Sequence, residues 1–209
     1  MDNLEQRFIS QLDGLVAFLA LAHEEVFTLV RRHYRDWVEA GQQDAVPDSF
    51  GLFQTQVANG AFLLGYSYFE AFLAYIIRRL YEANPRMLPC EKQLKFREVV
   101  DAGDYPSVLR KMVEKEVLSV MYGSVEDIRQ YFQSKLSLPW PDSDRIVEAS
   151  RLRNCLLHNN AVVDGRLAEV SDWDEGDEIT LTPSQVHEFG LVARRFARQL
   201  YQQVTDRTD

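Results

Sequence analysis

The chain has 209 residues, of which 46% are hydrophobic and 26% are charged, so it is neither a disordered nor an extremely charged sequence. A formal net charge of −9 argues against broad, non-specific binding to nucleic acid. The two cysteines, Cys90 and Cys155, give no disulfide framework, and no basic segment precedes the short apolar run at 15–22. These features predict one globular domain over 1–209, soluble and cytoplasmic, with free thiols and no membrane partner.

Two long helices are predicted in the first 81 residues. Apolar residues recur at three- and four-residue steps over 3–41, and a second helix follows from about residue 50 to about Tyr81. The middle of the second helix, 62–73, is apolar nearly all round, which is typical of a helix buried on several sides. Glu70 is the one carboxylate in that middle. We expect it either to pair with a cation of the later motif or to point to solvent.

Three shorter helices are predicted in the middle of the chain, over 91–102, 107–121 and 124–135. The last of them begins with a capping box at Ser124. This middle portion, about 85–140, is interpreted as a helical insertion that decorates a bundle. Its lysines and arginines are interpreted as a solvated face.

The next predicted helix, which Asp142 is expected to cap, carries most of the polar chemistry. Arg151, Asn154 and His158 stand at i, i+3 and i+7 and share a face, whereas Arg153 lies about 140° from His158 around the helix. An arginine near an imidazole suits phosphate chemistry, because arginine grips phosphate oxygens and histidine transfers protons near neutral pH. The alternative is a polar helix face.

In that alternative, a histidine simply ends the helix, with Asn159 and Asn160 as its cap. Beyond them, one small β-hairpin is predicted between Val162 and Thr182. Seven acidic residues and one arginine fall between 164 and 178, which gives this segment a local charge of −6. It is interpreted as a solvated hairpin tip or as a contact for a basic partner. A closing helix is predicted over 184–204, with Thr182 as its N-cap.

The motif Arg153-Asn154-Cys155-Leu156-Leu157-His158, followed by Asn159-Asn160, resembles the signature of HEPN domains (higher eukaryotes and prokaryotes nucleotide-binding). In that family an Arg precedes a His by four to six residues, often with Asn directly after the Arg. The resemblance implies a mainly α, HEPN-like helical bundle with long N-terminal helices and a closing helix. The family often has Gly two or three residues after the His, where this chain has Asn and Ala.

The resemblance also implies roles for individual residues. Arg153, His158 and Asn154 become the catalytic candidates. Arg151 fits the looser spacing and stands as the alternative arginine, while Glu70 and Asn159 become supporting residues.

The activity that the resemblance implies is metal-independent cleavage of RNA by attack of the 2′-OH, with neither metal nor cofactor. The protein would act as a toxin or an antiviral-defence effector. RNA is then the substrate, a homodimer the expected assembly, and an antitoxin or other regulatory protein a further partner. The alternative is a non-catalytic HEPN-like module that binds protein or nucleotide. The acidic segment favours this alternative, because its carboxylates repel RNA.

Overall fold

The computed structural model describes residues 4–41, 45–89 and 93–208, and within these ranges the fold is mainly α-helical, as predicted. A short 3₁₀ turn, Pro85–Met87, follows the second helix. The α-helices are α1 (Leu4–Glu39), α2 (Ala45–Ala83), α3 (Phe96–Ala102), α4 (Tyr105–Met121), α5 (Val125–Ser134), α6 (Ser143–His158), α7 (Gly165–Ala168) and α8 (Pro183–Thr208). The predicted free thiol Cys90 and the first two residues of the helix predicted over 91–102 lie outside the described residues. Residues 93–95 are not helical, so α3 begins later than predicted, at Phe96, after Lys95 and Glu98 form a capping box.

Side chains set the first residues of several helices. Ser124 and Asp127 form the predicted capping box of α5, each accepting a hydrogen bond from the other's backbone nitrogen. Thr182 and Gln185 cap α8 in the same reciprocal way, as the sequence predicted. Helix α4 begins two residues earlier than predicted, because the Asp104 carboxylate accepts a hydrogen bond from the backbone of the first turn.

Asp142 precedes α6 as predicted, but its carboxylate does not act as a helix cap. Both of its oxygens accept hydrogen bonds from the guanidinium of Arg195, at 2.8 and 3.1 Å. The backbone of Asp142 also has a positive φ of 49°, whereas an N-cap residue normally has an extended backbone. The carboxylate therefore pairs with α8 instead of with the first turn of α6.

The chain divides into two compact units. The first comprises Met1–Tyr68 and Asp144–Arg194, and its core includes the rings of Phe62, Tyr66 and Phe189. A β-carbon added to Gly65 would lie 3.1 Å from a methyl carbon of Leu15, so the absence of a side chain allows α1 to approach α2 closely. The second unit comprises Phe69–Ser143 and Arg195–Asp209. Its core includes edge-to-face contacts among the rings of Phe69, Phe132, Trp140 and Phe196.

The predicted β-hairpin after α6 is not confirmed. Between Val162 and Thr182 the described backbone has one antiparallel β-bridge, between Val162 and Glu178, and no β-strand. The expected turn at Asp164 is instead a helix cap, because its carboxylate accepts a hydrogen bond from the backbone of Leu167 and begins α7. Three backbone hydrogen bonds still join 161–163 to 176–179, and the first residues of α7 end this short antiparallel pairing on one side.

A buried side-chain amide also forms hydrogen bonds with the segment that leads into α8. The Asn59 side chain donates to the carbonyl of Ile179 and accepts from the backbone nitrogen of Leu181, both at 3.2 Å. Ile179 in turn donates to the carbonyl of Ala161 at 2.7 Å. The extended segment that leads into α8 is thus held by two hydrogen bonds of the Asn59 side chain and by a backbone hydrogen bond to Ala161.

Within the described residues, Thr55–Ala83 of α2 is long and apolar enough to cross a membrane by length and composition alone. Half of its most apolar window is buried inside the protein, which is also what a core helix shows. The helix is therefore not sufficient to indicate a membrane span.

Candidate functional site

The candidate site lies on the last turns of α6, a helix that buried side chains hold against the core. Ile146, Ala149 and Cys155 are its buried residues. Because these side chains pack into the core, the outer side of α6 projects from a fixed backbone. This anchoring is what a site needs in order to hold its reacting groups in place.

Asn154 and His158 are both exposed on this outer side. They are four residues apart, so they lie on one face of the helix at neighbouring turns. Arg153 is half-buried, and its Nη1 donates to the Asn154 side-chain oxygen at 3.0 Å. The structure therefore brings Arg153 and Asn154 together, and the helix places His158 one turn further on.

Arg151 makes a different kind of contact. Its Nη1 donates to the carbonyl of Arg166 at 2.6 Å and to the carboxylate of Glu169 at 3.2 Å, so the guanidinium joins α6 to the short helix α7 and the turn after it. The side chain is 24% exposed. The backbone of Arg151 stands on the face predicted from the helical wheel, but its charge is directed to the α7 segment.

The turn after His158 reverses the chain through two left-handed residues. Asn160 and Ala161 have φ values of 52° and 59°, and the nitrogens of Asn159 and Ala161 both donate to the carbonyl of Cys155 at 3.1 Å. The Asn159 side chain also donates to the carbonyl of Val162 at 2.8 Å. The asparagines thus form the end of α6, as in the alternative interpretation of the motif, and the supporting role of Asn159 stays a prediction.

The two left-handed positions are the second and third residues after His158. They coincide with the positions where the HEPN pattern often has glycine, which adopts a positive φ at no steric cost. Asparagine tolerates this conformation better than most residues, and alanine does so at a cost. The departure from the pattern thus changes the residues of the turn, and the conformation remains one that glycine favours.

Glu70 lies on α2 and is half-buried. It belongs to the second unit, whereas the motif residues belong to the first. Its pairing with a cation of the motif stays a prediction.

Three further observations bear on the chemistry that is available. Burial raises the pKa of the Cys155 thiol, which lies beside Asp164, so at neutral pH this sulfur is a protonated core group and a poor nucleophile. Over residues 4–41, 45–89 and 93–208, no three His, Cys, Asp or Glu side chains are arranged to hold a metal ion. Six acidic residues of the 164–178 segment are exposed, namely Glu169, Asp172, Asp174, Glu175, Asp177 and Glu178.

One polar cluster was missed by the sequence analysis. Glu116 is 3% exposed, although the lysines and arginines of this portion of the chain were interpreted as a solvated face. Tyr131 donates a hydrogen bond to its carboxylate at 2.6 Å, and the hydroxyl of Tyr81 contacts that of Tyr131. The signal was present: Glu116 falls at a three-residue step from Val113 and a four-residue step from Val120, on the buried stripe of α4.

Comparison with protein-family models, with curated proteins and with solved structures gave no match. Any assignment of function therefore depends on the residues of α6 and of the turn that follows it.

Proposed function

We propose that this protein is a metal-independent RNA endonuclease whose active site is the exposed end of α6. One observation carries the proposal: exposed Asn154 and His158 share a face of an anchored helix, and Arg153 hydrogen-bonds to Asn154. An imidazole, a guanidinium and an amide within two helical turns form a set that cleaves phosphodiesters. The resemblance of the motif to HEPN ribonucleases supports the same activity.

Each side chain has a defined role in this reaction. His158 removes the proton from the ribose 2′-OH, and the 2′-oxygen attacks phosphorus to form a 2′,3′-cyclic phosphate. The bond from phosphorus to the 5′-oxygen breaks, and that oxygen takes up a proton from an imidazolium, either the same group or its copy in a second subunit. Arg153 stabilises the negative charge that builds up on the phosphoryl oxygens, and Asn154 orients Arg153 or the substrate.

The contacts of Arg151 favour Arg153 as the catalytic arginine. The charge of Arg151 faces the Glu169 carboxylate, and one of its nitrogens is bonded to the Arg166 carbonyl. To reach a phosphate, Arg151 would have to break both contacts. Nη1 of Arg153 bonds to the side chain of Asn154, which shares an exposed face with His158.

A homodimer completes the proposed site. One Arg153 and one His158 supply few groups for a reaction with two proton transfers. A two-fold axis would bring a second motif to the same cleft. In this proposal the chain is a HEPN-like bundle that acts as a toxin or an antiviral-defence effector in the cytoplasm, under the control of an antitoxin or other regulatory protein.

The test is cleavage of RNA by the purified protein in excess EDTA. RNA fragments should carry 2′,3′-cyclic phosphate ends, and DNA of the same sequence should stay intact because it lacks the 2′-OH nucleophile. Cleavage of both nucleic acids, or fragments with other end groups, would assign the protein to another reaction.

The second candidate function is a non-catalytic module that binds a protein or a nucleotide. It is favoured by the five exposed carboxylates of residues 172–178, which repel RNA and would attract a basic protein surface. If no RNA is cleaved, and the Arg153→Ala and His158→Ala variants bind a partner as the unaltered protein does, this function replaces the first.

A further inference from the structure

Leu157 is an exposed apolar residue in the middle of the candidate site. Its side chain is 48% exposed, whereas the leucine before it, Leu156, is half-buried. Asn154 and His158, which stand three residues before Leu157 and directly after it, are exposed as well. A single exposed leucine is ordinary on a protein surface. What distinguishes Leu157 is its position relative to the groups that the proposed reaction uses.

The helical repeat places Leu157 between those groups. At about 100° per residue, Leu157 lies about 40° from Arg153 and about 100° from His158 around α6. Asn154 lies in the same interval, about 40° from His158. A ligand that contacts both Arg153 and His158 across the exposed side of α6 therefore lies over Leu157 and Asn154.

The four side chains form two rows that are one helical turn apart. Arg153 and Asn154 are joined by their hydrogen bond in the first row, and Leu157 and His158 form the second. A long side chain in an α-helix leans toward the N-terminus and covers the surface over the preceding turn. The side chain of Leu157 therefore covers the surface next to Arg153, which stands four residues before it.

The part of RNA that fits an apolar side chain is the face of a nucleobase. Leucine has no hydrogen-bond donor or acceptor, so it does not read the edge of a base. In an A-form duplex the base faces are stacked on one another. A protein side chain reaches a base face where the base is unpaired and unstacked.

The charges near the site favour a contact of this kind. Backbone hydrogen bonds join residues 161–163 to 176–179, so they hold the acidic segment close to the turn after His158. Its exposed carboxylates repel phosphate groups over a distance of about 8 Å at physiological salt. Phosphate contacts beyond this end of α6 are therefore unfavourable, and a contact that does not depend on charge contributes a larger share of the binding.

We propose that Leu157 packs against an unpaired base next to the cleaved phosphodiester, and that the substrate of this site is single-stranded RNA. This proposal rests on the proposed function, and it adds the class of RNA and the residue that selects it. Leu157 takes no part in proton transfer. Because its contact is similar for all four bases, it contributes to affinity with little preference for sequence.

Steady-state cleavage of a single-stranded oligoribonucleotide, and of the same strand in a duplex, tests the contact. The unaltered protein should cut the single strand at least about tenfold more efficiently. Leu157→Ala should raise KM for the single strand about five- to tenfold and leave kcat within about twofold, because it removes apolar surface that contacts the base. Leu157→Met keeps the apolar volume and should restore KM.

The matched control is Leu118→Ala, at a leucine of α4 that is 52% exposed and belongs to the second unit. It should leave both kinetic constants unchanged. A Leu157→Ala variant that lowers kcat at unaltered KM would show that Leu157 supports the helix instead of the base, and this result overturns the proposal. Equal cleavage of the single strand and the duplex also overturns it.

Binding of a 2′-O-methyl oligonucleotide of the same sequence, which has no free 2′-OH nucleophile, separates this proposal from the proposed function. Leu157→Ala should raise its Kd, measured by fluorescence anisotropy, by the same factor of about five to ten. A protein that binds with this dependence on Leu157 but cuts no RNA retains the base contact and loses the proposed activity. Cleavage without that dependence overturns the base contact alone, and a protein that neither binds nor cuts overturns both.

Discussion

Polar side chains come together in the tyrosine–glutamate cluster (Tyr81, Glu116 and Tyr131) of the second unit and also at the exposed end of α6. The two groups differ in how their hydrogen bonds are made. In the cluster, Tyr131 donates to the buried carboxylate of Glu116, so the hydrogen shared by the two tyrosines comes from Tyr81. On α6, Asn154 and His158 face solvent. The first arrangement is closed inside the protein, and the second is open to a ligand.

This difference has an energetic consequence. Removing the hydrogen-bond partner of a buried polar group lowers the free energy of unfolding. An exposed polar group that loses its partner binds water instead, so stability changes little. Substitutions in the cluster should therefore lower stability without changing activity. Substitutions of the exposed residues at the end of α6 should lower activity without changing stability. The predictions below test this separation, from the largest expected effect to the smallest.

His158→Ala should reduce RNA cleavage by about 10²–10⁴-fold, the usual range for a positioned proton-transfer group. Because His158 is exposed, the free energy of unfolding in urea should change by no more than about 0.5 kcal/mol. His187→Ala is the matched control, since His187 is an exposed histidine on α8, and it should leave both quantities unchanged. Equal losses of activity in the two variants would contradict the assignment.

Arg153→Ala should reduce cleavage by about 10²–10³-fold, by analogy with the removal of one charge-stabilising donor. Arg151→Ala should instead cost about 1–2 kcal/mol of stability, because it removes the hydrogen bonds to the Arg166 carbonyl and Glu169. Steady-state kinetics and urea unfolding of both variants make the distinction. If Arg151→Ala has the larger loss of activity with unaltered stability, the catalytic role passes to Arg151.

Tyr131→Phe should lower the free energy of unfolding by about 1–3 kcal/mol, because it removes the donor that faces a buried carboxylate. RNA cleavage should not change. Tyr122→Phe, at a tyrosine that is 87% exposed, is the control and should have an effect below about 0.5 kcal/mol.

Tyr131 also predicts how stability depends on pH. Burial and the neighbouring Glu116 raise the pKa of its hydroxyl in the folded state. The unfolded chain then ionises first, near a pH of about 10, so the stabilisation is present below that pH and is lost as pH rises above it. Tyr131→Phe should make the alkaline fall in stability shallower, and an unchanged pH dependence would contradict this account.

Ala161→Gly should raise stability by about 0.5–1 kcal/mol, because glycine adopts the φ of 59° found at this position without steric cost. The control is Ala71→Gly, at an exposed position inside α2, which should lower stability by a similar amount. A destabilising Ala161→Gly would mean that the left-handed turn after His158 is not the conformation in solution.

Much of the helical fold was predictable because helix periodicity and capping are local. The capping boxes at Ser124 and Thr182 involve residues three apart in sequence, and both form as predicted. The turn at Asp164 was predicted wrongly for a related reason. Its side chain can serve a hairpin turn or a helix cap, and in the structure it accepts a hydrogen bond from the backbone of Leu167 and caps α7.

The sequence by itself determined the longer helices and the group of residues on α6, because three- and four-residue spacing decides which side chains share a helix face. Only the tertiary structure directed Arg151 toward Arg166 and Glu169, buried Glu116 beside Tyr131, and left Phe96 and the valines of α3 in solvent. The physical reason is the same in all three cases. The position of a residue in the helical repeat decides on which face its side chain lies. Its partner and its burial depend on which other element packs against that face.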